Sequence, residues 1–244
     1  VIDVRGCSKH FGSLEVLDKV NLRVAQGEVV ALLGPSGCGK STLLRMLAGF
    51  EHPDHGELLV GGRPVTGPGP DRGVVDQAAT LFPWLSLRDN VAWGPRAAGR
   101  RDAGMIADRL LEETGLAAFA RAPVRTLSGG MRQRAAVAQA MATSPPVLLL
   151  DEPFGALDAQ TRIRMHEWLR ELLDNRATTV VLVTHDIDEA LMLADSLVLL
   201  SARPAATVAA MTIDVGAARG RAVLSDPRAV ALKRQVLDAL LTET

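Results

Sequence analysis

Gly34-Pro35-Ser36-Gly37-Cys38-Gly39-Lys40-Ser41-Thr42 follows the apolar run Val29-Val30-Ala31-Leu32-Leu33 and precedes a helix-forming stretch, Leu43 to Ala48. The order is strand, glycine loop, helix. The loop fits G-x-x-x-x-G-K-[ST], in which glycines let the backbone adopt positive φ and turn successive N–H groups inward on an anion. Lys40 is expected to reach the β- and γ-phosphates as a point charge, and Ser41 to offer its hydroxyl to Mg²⁺. The new helix would set its positive end against the same phosphates. A nucleoside triphosphate is the ligand this chemistry calls for.

With 244 residues the chain can bury a large core, either as one α/β domain or as a core carrying an inserted subdomain. The net charge of −1 supplies no cationic field, so nucleic acid is a poor partner. Two cysteines, Cys7 and Cys38, make no disulfide framework, and a crosslink at Cys38 would obstruct the loop. That usage fits a reducing cytoplasm. Cys38 is expected to be shielded from alkylation by bound nucleotide. No apolar run approaches the length of about 18 residues needed to span a bilayer, and the chain reads as soluble. Aromatics are 3 % of the residues and Tyr is absent, so the core must be aliphatic.

Along the chain, Ile2 to Val4, Val16 to Val24 and Val29 to Leu33 read as strands, followed by Gly56 to Val65 and Arg72 to Asp76. From Leu81 to Ser128 apolar residues recur every three or four positions (Met105, Ile106, Leu110, Leu111, Leu116), which predicts a helical insertion over about 81–143. Val147 to Leu150 and Val180 to Val183 are continuous aliphatic runs, as in parallel strands covered on both faces. Helices are expected over Ala159 to Leu173, Asp186 to Ala194 and Pro227 to Leu241, with short strands and turns over 197–224. The β-α-β-α order implies a doubly wound parallel sheet.

Ligands gather at the carboxyl ends of such strands, so Asp151 and Glu152, directly after Val147 to Leu150, are the expected Mg²⁺ ligand and the residue that orients or deprotonates water. Leu127-Ser128-Gly129-Gly130-Met131-Arg132-Gln133 opens a further helix. Ser128 is either an ordinary cap or, with the two glycines, a second anion site. A chain with two phosphate-binding helix starts makes sense if each of two copies lends one to the other. His185 follows Val180 to Val183 onto the same edge and could donate a hydrogen bond to the γ-phosphate. Gln77 ends its strand within reach of Mg²⁺ or water. Phe11 is either a face for adenine to stack on or a hydrophobic plug beside a turn, and the residue alone favours the plug. His10, His52, His55 and His166 lack metal-ligand spacing and read as surface residues.

Taken together, the phosphate loop, Gln77, Leu127 to Gln133, Val147 to Pro153 and His185 resemble, in order, the motifs of the ATP-binding subunits of ABC transporters. Ala156-Leu157-Asp158 falls where that family has its D-loop. The resemblance covers nearly the whole chain and implies a single 1–244 α/β ATPase domain. That domain would combine a P-loop NTPase core of mainly parallel sheet, an N-terminal antiparallel β subdomain and an inserted helical subdomain. It further implies a homodimer sandwiching two ATP and Mg²⁺, with Ser128 and Gly130 of one copy binding the nucleotide held by Lys40 of the other. Asp158 and Gly129 would complete that interface, and Phe11 becomes the adenine platform.

Gly67 to Val75, Leu81-Phe82-Pro83-Trp84, Asp89-Asn90-Val91 and Leu199 to Pro204 are most similar to the nitrate/sulfonate/taurine importer branch. This implies a subunit peripheral on the cytoplasmic side of the inner membrane. It would act with permease subunits and, through them, a periplasmic or lipid-anchored solute-binding protein. Leu81, Phe82 and Trp84 are either part of the permease docking groove or an internal cluster. A nitrate importer ATPase and a nontransport ABC ATPase are the alternatives. Asp76 departs from the family pattern, which has an aromatic there; as a strand residue it would share a face with Val74 and alter packing.

Overall fold

The computed structural model describes residues 1–174, 176–215 and 220–242. They form two compact units, Val1–Gly69 with His166–Thr244, and Pro70–Met165. The first unit starts with β1 (Ile2–Phe11), β2 (Leu14–Val24), β3 (Val29–Leu33), α1 (Lys40–Ala48), β4 (His55–Val60) and β5 (Arg63–Pro64). In the antiparallel sheet β2-β1-β4-β5, Ile2 lies opposite both Val24 and Val60. Strand β1 runs on to Phe11 instead of ending near Val4. Gly6, at φ +54°, absorbs a register shift between Val4 and Cys7, so Cys7 stays buried and pairing continues. The expected Gly56 to Val65 strand breaks into β4 and β5, because Gly61 and Gly62 both take positive φ and make a two-residue hairpin turn.

The second unit holds β6 (Arg72–Val75), α2 (Leu87–Ala97), α3 (Ala103–Glu113), α4 (Gly129–Met141), β7 (Val147–Asp151) and the start of α5 (Ala159–Asp174). Strands β6 and β7 are parallel, Val75 opposite Leu150. The apolar spacing of α3 buries Ile106, Leu110 and Leu111, but Met105 is off that stripe and 71 % exposed. Asp76 also departs from expectation. It lies past the end of β6, exposed, where its carboxylate accepts the N–H of Thr80 at 2.9 Å and the Thr80 hydroxyl, closing the turn that carries Gln77.

The chain then returns to the first unit with β8 (Thr179–Val183), α6 (Ile187–Leu193), β9 (Ser196–Leu200), β10 (Thr207–Thr212) and α7 (Pro227–Thr242). Strand β3 pairs in parallel with both β8 and β9, and β10 runs antiparallel on β9. Every residue of β3 and β8 is buried, as their unbroken aliphatic runs require. Leu32 stands opposite Val183, so the loop after β3 and the Thr184-His185 turn after β8 leave from one carboxyl edge. His166 is not a surface residue: it is 3 % exposed, because its face of α5 turns inward onto Glu189 of α6, with Nε2 to Oε1 at 3.1 Å.

Candidate functional site

In the first unit, β3 ends at Leu33 and the loop from Gly34 to Gly39 leads directly into α1. Gly39 occupies the N-cap at φ +128°, and the helix start has neither a side-chain cap nor an acidic residue in its first turn. A Cβ at Gly39 would stand 2.7 Å from Leu17 and 3.0 Å from Val16 on β2, so only glycine lets the loop lie this close to the strand. Those first-turn N–H groups present partial positive charge, the arrangement that takes an anion. Lys40 is buried and curls back over the loop, with Nζ donating to Gly34 O at 2.7 Å and Pro35 O at 3.0 Å. Ser36, Gly37 and Ser41 are exposed, Pro35 and Thr42 half-buried. The Cys38 side chain is 1 % exposed. The fold itself covers the thiol, which corrects the expectation that nucleotide would be its shield.

Phe11 closes the β1-β2 hairpin opposite Leu14 and is 46 % exposed, with Lys9 Nζ 5.4 Å from its ring centroid. An exposed ring is not a plug. Strand β2, which meets Gly39, is the hairpin partner of the strand that carries Phe11. His185 is exposed at the carboxyl end of β8.

The second unit brings Gln77 and Glu152 together. A Cβ on Gly155 would lie 3.5 Å from Glu152 Oε2 and 3.8 Å from Gln77 Nε2, so the two side chains flank the same small space. Glu152 has φ +43°, a left-handed backbone that costs a non-glycine residue about 1 kcal/mol or more and is found preferentially at functional positions. Asp151, half-buried, ends β7 immediately before it. Ser128 caps α4 by accepting the Met131 N–H at 3.3 Å. The glycines after it pack closely, since a Cβ at Gly129 would be 3.2 Å from Leu157, and at Gly130 3.2 Å from Thr161, so a side chain at either would make that neighbour shift. Asp158 is exposed and accepts the Thr161 N–H at 3.0 Å, opening α5. That hydrogen bond holds its carboxyl below the usual carboxylate range.

Leu81-Phe82-Pro83-Trp84 divides between core and surface. Leu81 is 7 % exposed and cannot be a surface contact, whereas Trp84 is 75 % exposed. Phe82 lies between Trp84 and Trp93, with centroids 5.5 and 5.0 Å away.

The ABC transporter family model matches residues 17–155. An aliphatic sulfonates import ATP-binding protein of Burkholderia lata is 43 % identical over 98 % of this chain and 86 % of its own length. The chain belongs to the ABC transporter family. A taurine import ATP-binding protein of Escherichia coli O157:H7 is 41 % identical over 96 % of this ABC chain and 94 % of that protein. Among solved structures, the dimeric ATP-binding cassette MJ0796, in a post-hydrolysis state bound to ADP and Pi, is similar at a TM-score of 0.75 and 28 % identity. That match covers 87 % of this chain and 99 % of that one. The fold is thus that of an ABC ATPase cassette, and the mainly parallel α/β reading holds.

Two features of the ABC cassette escaped the sequence. Exposed Trp93 packs with half-buried Phe82 and exposed Trp84, and Asn90 holds the Phe82 backbone in place. Asn90 is fully buried; Oδ1 accepts the Phe82 N–H at 2.7 Å, and Nδ2 donates to Phe82 O at 3.1 Å and Ser86 O at 2.9 Å. Spacing offered a usable signal, since an Asn one helical turn after a cap residue can serve the preceding loop.

Proposed function

We propose that this chain is the ATP-binding and ATP-hydrolysing subunit of an importer for a small anion, taurine or another sulfonate. One observation carries the reading: identity above 40 % over nearly the whole chain with import ATP-binding proteins for sulfonates and taurine. The geometry supports it, because the motif residues lie at strand ends and helix starts suited to phosphate and water.

In this reading the N–H groups of Gly34, Ser36, Gly37, Cys38, Gly39, Lys40, Ser41 and Thr42 cradle the phosphates, Pro35, which has no N–H, shapes the turn of that loop, Lys40 leaves its loop carbonyls for the β- and γ-phosphates, and Phe11 stacks on adenine. Among the described residues no cluster of His, Cys, Asp and Glu could enclose a metal. That suits Mg²⁺, which binds one or two protein oxygens and takes the rest from phosphate and water. Ser41, Asp151 and Gln77 supply hard oxygen donors of that kind. Bound Mg²⁺ would neutralise charge developing on the phosphates. Glu152, beside Gln77, orients and deprotonates the attacking water, and His185 donates to the γ-phosphate.

Ser128, Gly129, Gly130 and Asp158 serve the nucleotide of a second copy in a head-to-tail homodimer. The Phe82, Trp84 and Trp93 surface receives a permease subunit, which in turn meets the solute-binding protein. No helix among the described residues is long and apolar enough to cross a membrane, so attachment to the cytoplasmic side of the inner membrane runs through those partners.

Replacing Glu152 with Gln tests the chemistry. MgATP binding should persist while phosphate release falls by about a hundredfold or more; hydrolysis at the parent rate would refute the assignment. Uptake of labelled taurine, an alkanesulfonate and nitrate by the reconstituted transporter distinguishes the solutes.

A further inference from the structure

Three polar side chains near the exposed His185 are almost sealed from solvent: Thr184 at 1 %, His166 at 3 % and Glu189 at 4 % exposure. Burying a carboxylate is unfavourable unless its oxygens are satisfied, so an aliphatic packing of similar volume would serve stability as well. Here the hydrogen bonds of Glu189 reach Thr184 and Asp186, the two residues that flank His185. Glu189 Oε1 meets His166 Nε2 at 3.1 Å, and Oε2 accepts the Thr184 hydroxyl. The Thr184 oxygen in turn accepts the Asp186 N–H at 3.0 Å, and the Thr184 N–H donates to Leu32 O at 3.2 Å. The residues on both sides of His185 are therefore tied down. Asp186 completes the ring by accepting the N–H groups of Asp188 at 2.9 Å and Glu189 at 3.3 Å, which fixes the start of the helix that carries Glu189.

We propose that Glu189, anchored by His166 on α5 and joined to the Thr184 hydroxyl, is a positioning residue for His185, holding its backbone rigid at the end of β8. This rests on the reading of His185 as a γ-phosphate donor. A preorganised donor needs no rearrangement when charge develops on the phosphate, whereas one on a loose turn loses that advantage.

A double-mutant cycle on the whole chain separates positioning from packing, with phosphate release, binding of a fluorescent ATP analogue and thermal unfolding as readouts. Glu189→Ala should lower kcat by about tenfold and change nucleotide affinity by less than about threefold. Glu189→Gln still accepts the Thr184 hydroxyl and should recover most of that loss. In a His185→Ala background, Glu189→Ala should reduce the rate no further. An equal loss in both backgrounds, or a Gln variant as slow as Ala, would show that Glu189 only packs and would overturn the proposal. A His185→Ala chain that hydrolyses at the parent rate would instead refute the role of His185, and the proposal with it. Should Glu189→Ala not fold, Thr184→Val removes only the hydroxyl and enters the same cycle; full activity there overturns the proposal.

Discussion

Glu152 combines an unfavourable backbone with a companion, Gln77, across the space beside Gly155. A methyl group at Gly155 would make ordinary van der Waals contact with both side chains, and nothing in the backbone there demands glycine. Gly155→Ala should therefore leave the unfolding free energy within about 0.5 kcal/mol of the parent while hydrolysis drops, because the methyl takes room beside Glu152 and Gln77 where the proposed mechanism puts the attacking water. Equal loss of stability and activity would mean that the glycine serves the turn instead. Asp151 and Glu152 were legible because a carboxylate pair after an aliphatic strand has a fixed place at the sheet edge. The inward turn of His166 was not legible, since its burial depends on which face of α5 meets α6.

Helix α2 opens with a cap that local chemistry explains. Ser86 Oγ accepts the Asp89 N–H at 3.1 Å and donates to Asp89 Oδ2 at 2.6 Å, and Arg96 Nη1 donates to Asp89 Oδ1 at 2.8 Å. The Ser86 hydroxyl first, and Arg96 second, hold the Asp89 carboxyl below its ordinary value. Ser86→Ala should cost about 1 kcal/mol by chemical denaturation. A depressed folded-state pKa gives stability that is present above the unfolded value and lost as pH falls through the folded one. Asp89→Asn should accordingly show a shallower loss of stability below about pH 4 than the parent, and an unchanged slope would refute the coupling. The strands were read from aliphatic runs, yet β1 and the β4-β5 hairpin were misjudged in length. Positive φ at Gly6, Gly61 and Gly62 decides between bulge, turn and break, and a glycine's letter does not reveal its φ.

For the assembled protein, the proposed sharing of one nucleotide between the Lys40 loop of one copy and Ser128 of another predicts association that depends on nucleotide. Glu152→Gln with MgATP should elute at twice the mass of the chain and revert to one copy when ATP is removed. A further change of Ser128 to Arg should abolish the dimer while the Lys40 loop still binds ATP. A dimer indifferent to both ATP and Ser128 would exclude the shared-nucleotide arrangement.

What could be known from residue order alone was local chemistry: the glycine loop before a helix, the acidic pair after a strand and the capping serine. Each works through neighbours within a few positions, so their linear pattern suffices. Tertiary structure alone decided that Leu81 is core while half-buried Phe82 groups with the exposed Trp84 and Trp93, that the Cys38 thiol lies beneath its loop, and that buried Glu189 joins Thr184 to His166 on a distant helix. Burial and long-range pairing depend on which surfaces of distant segments meet, and no pattern along the chain encodes that directly.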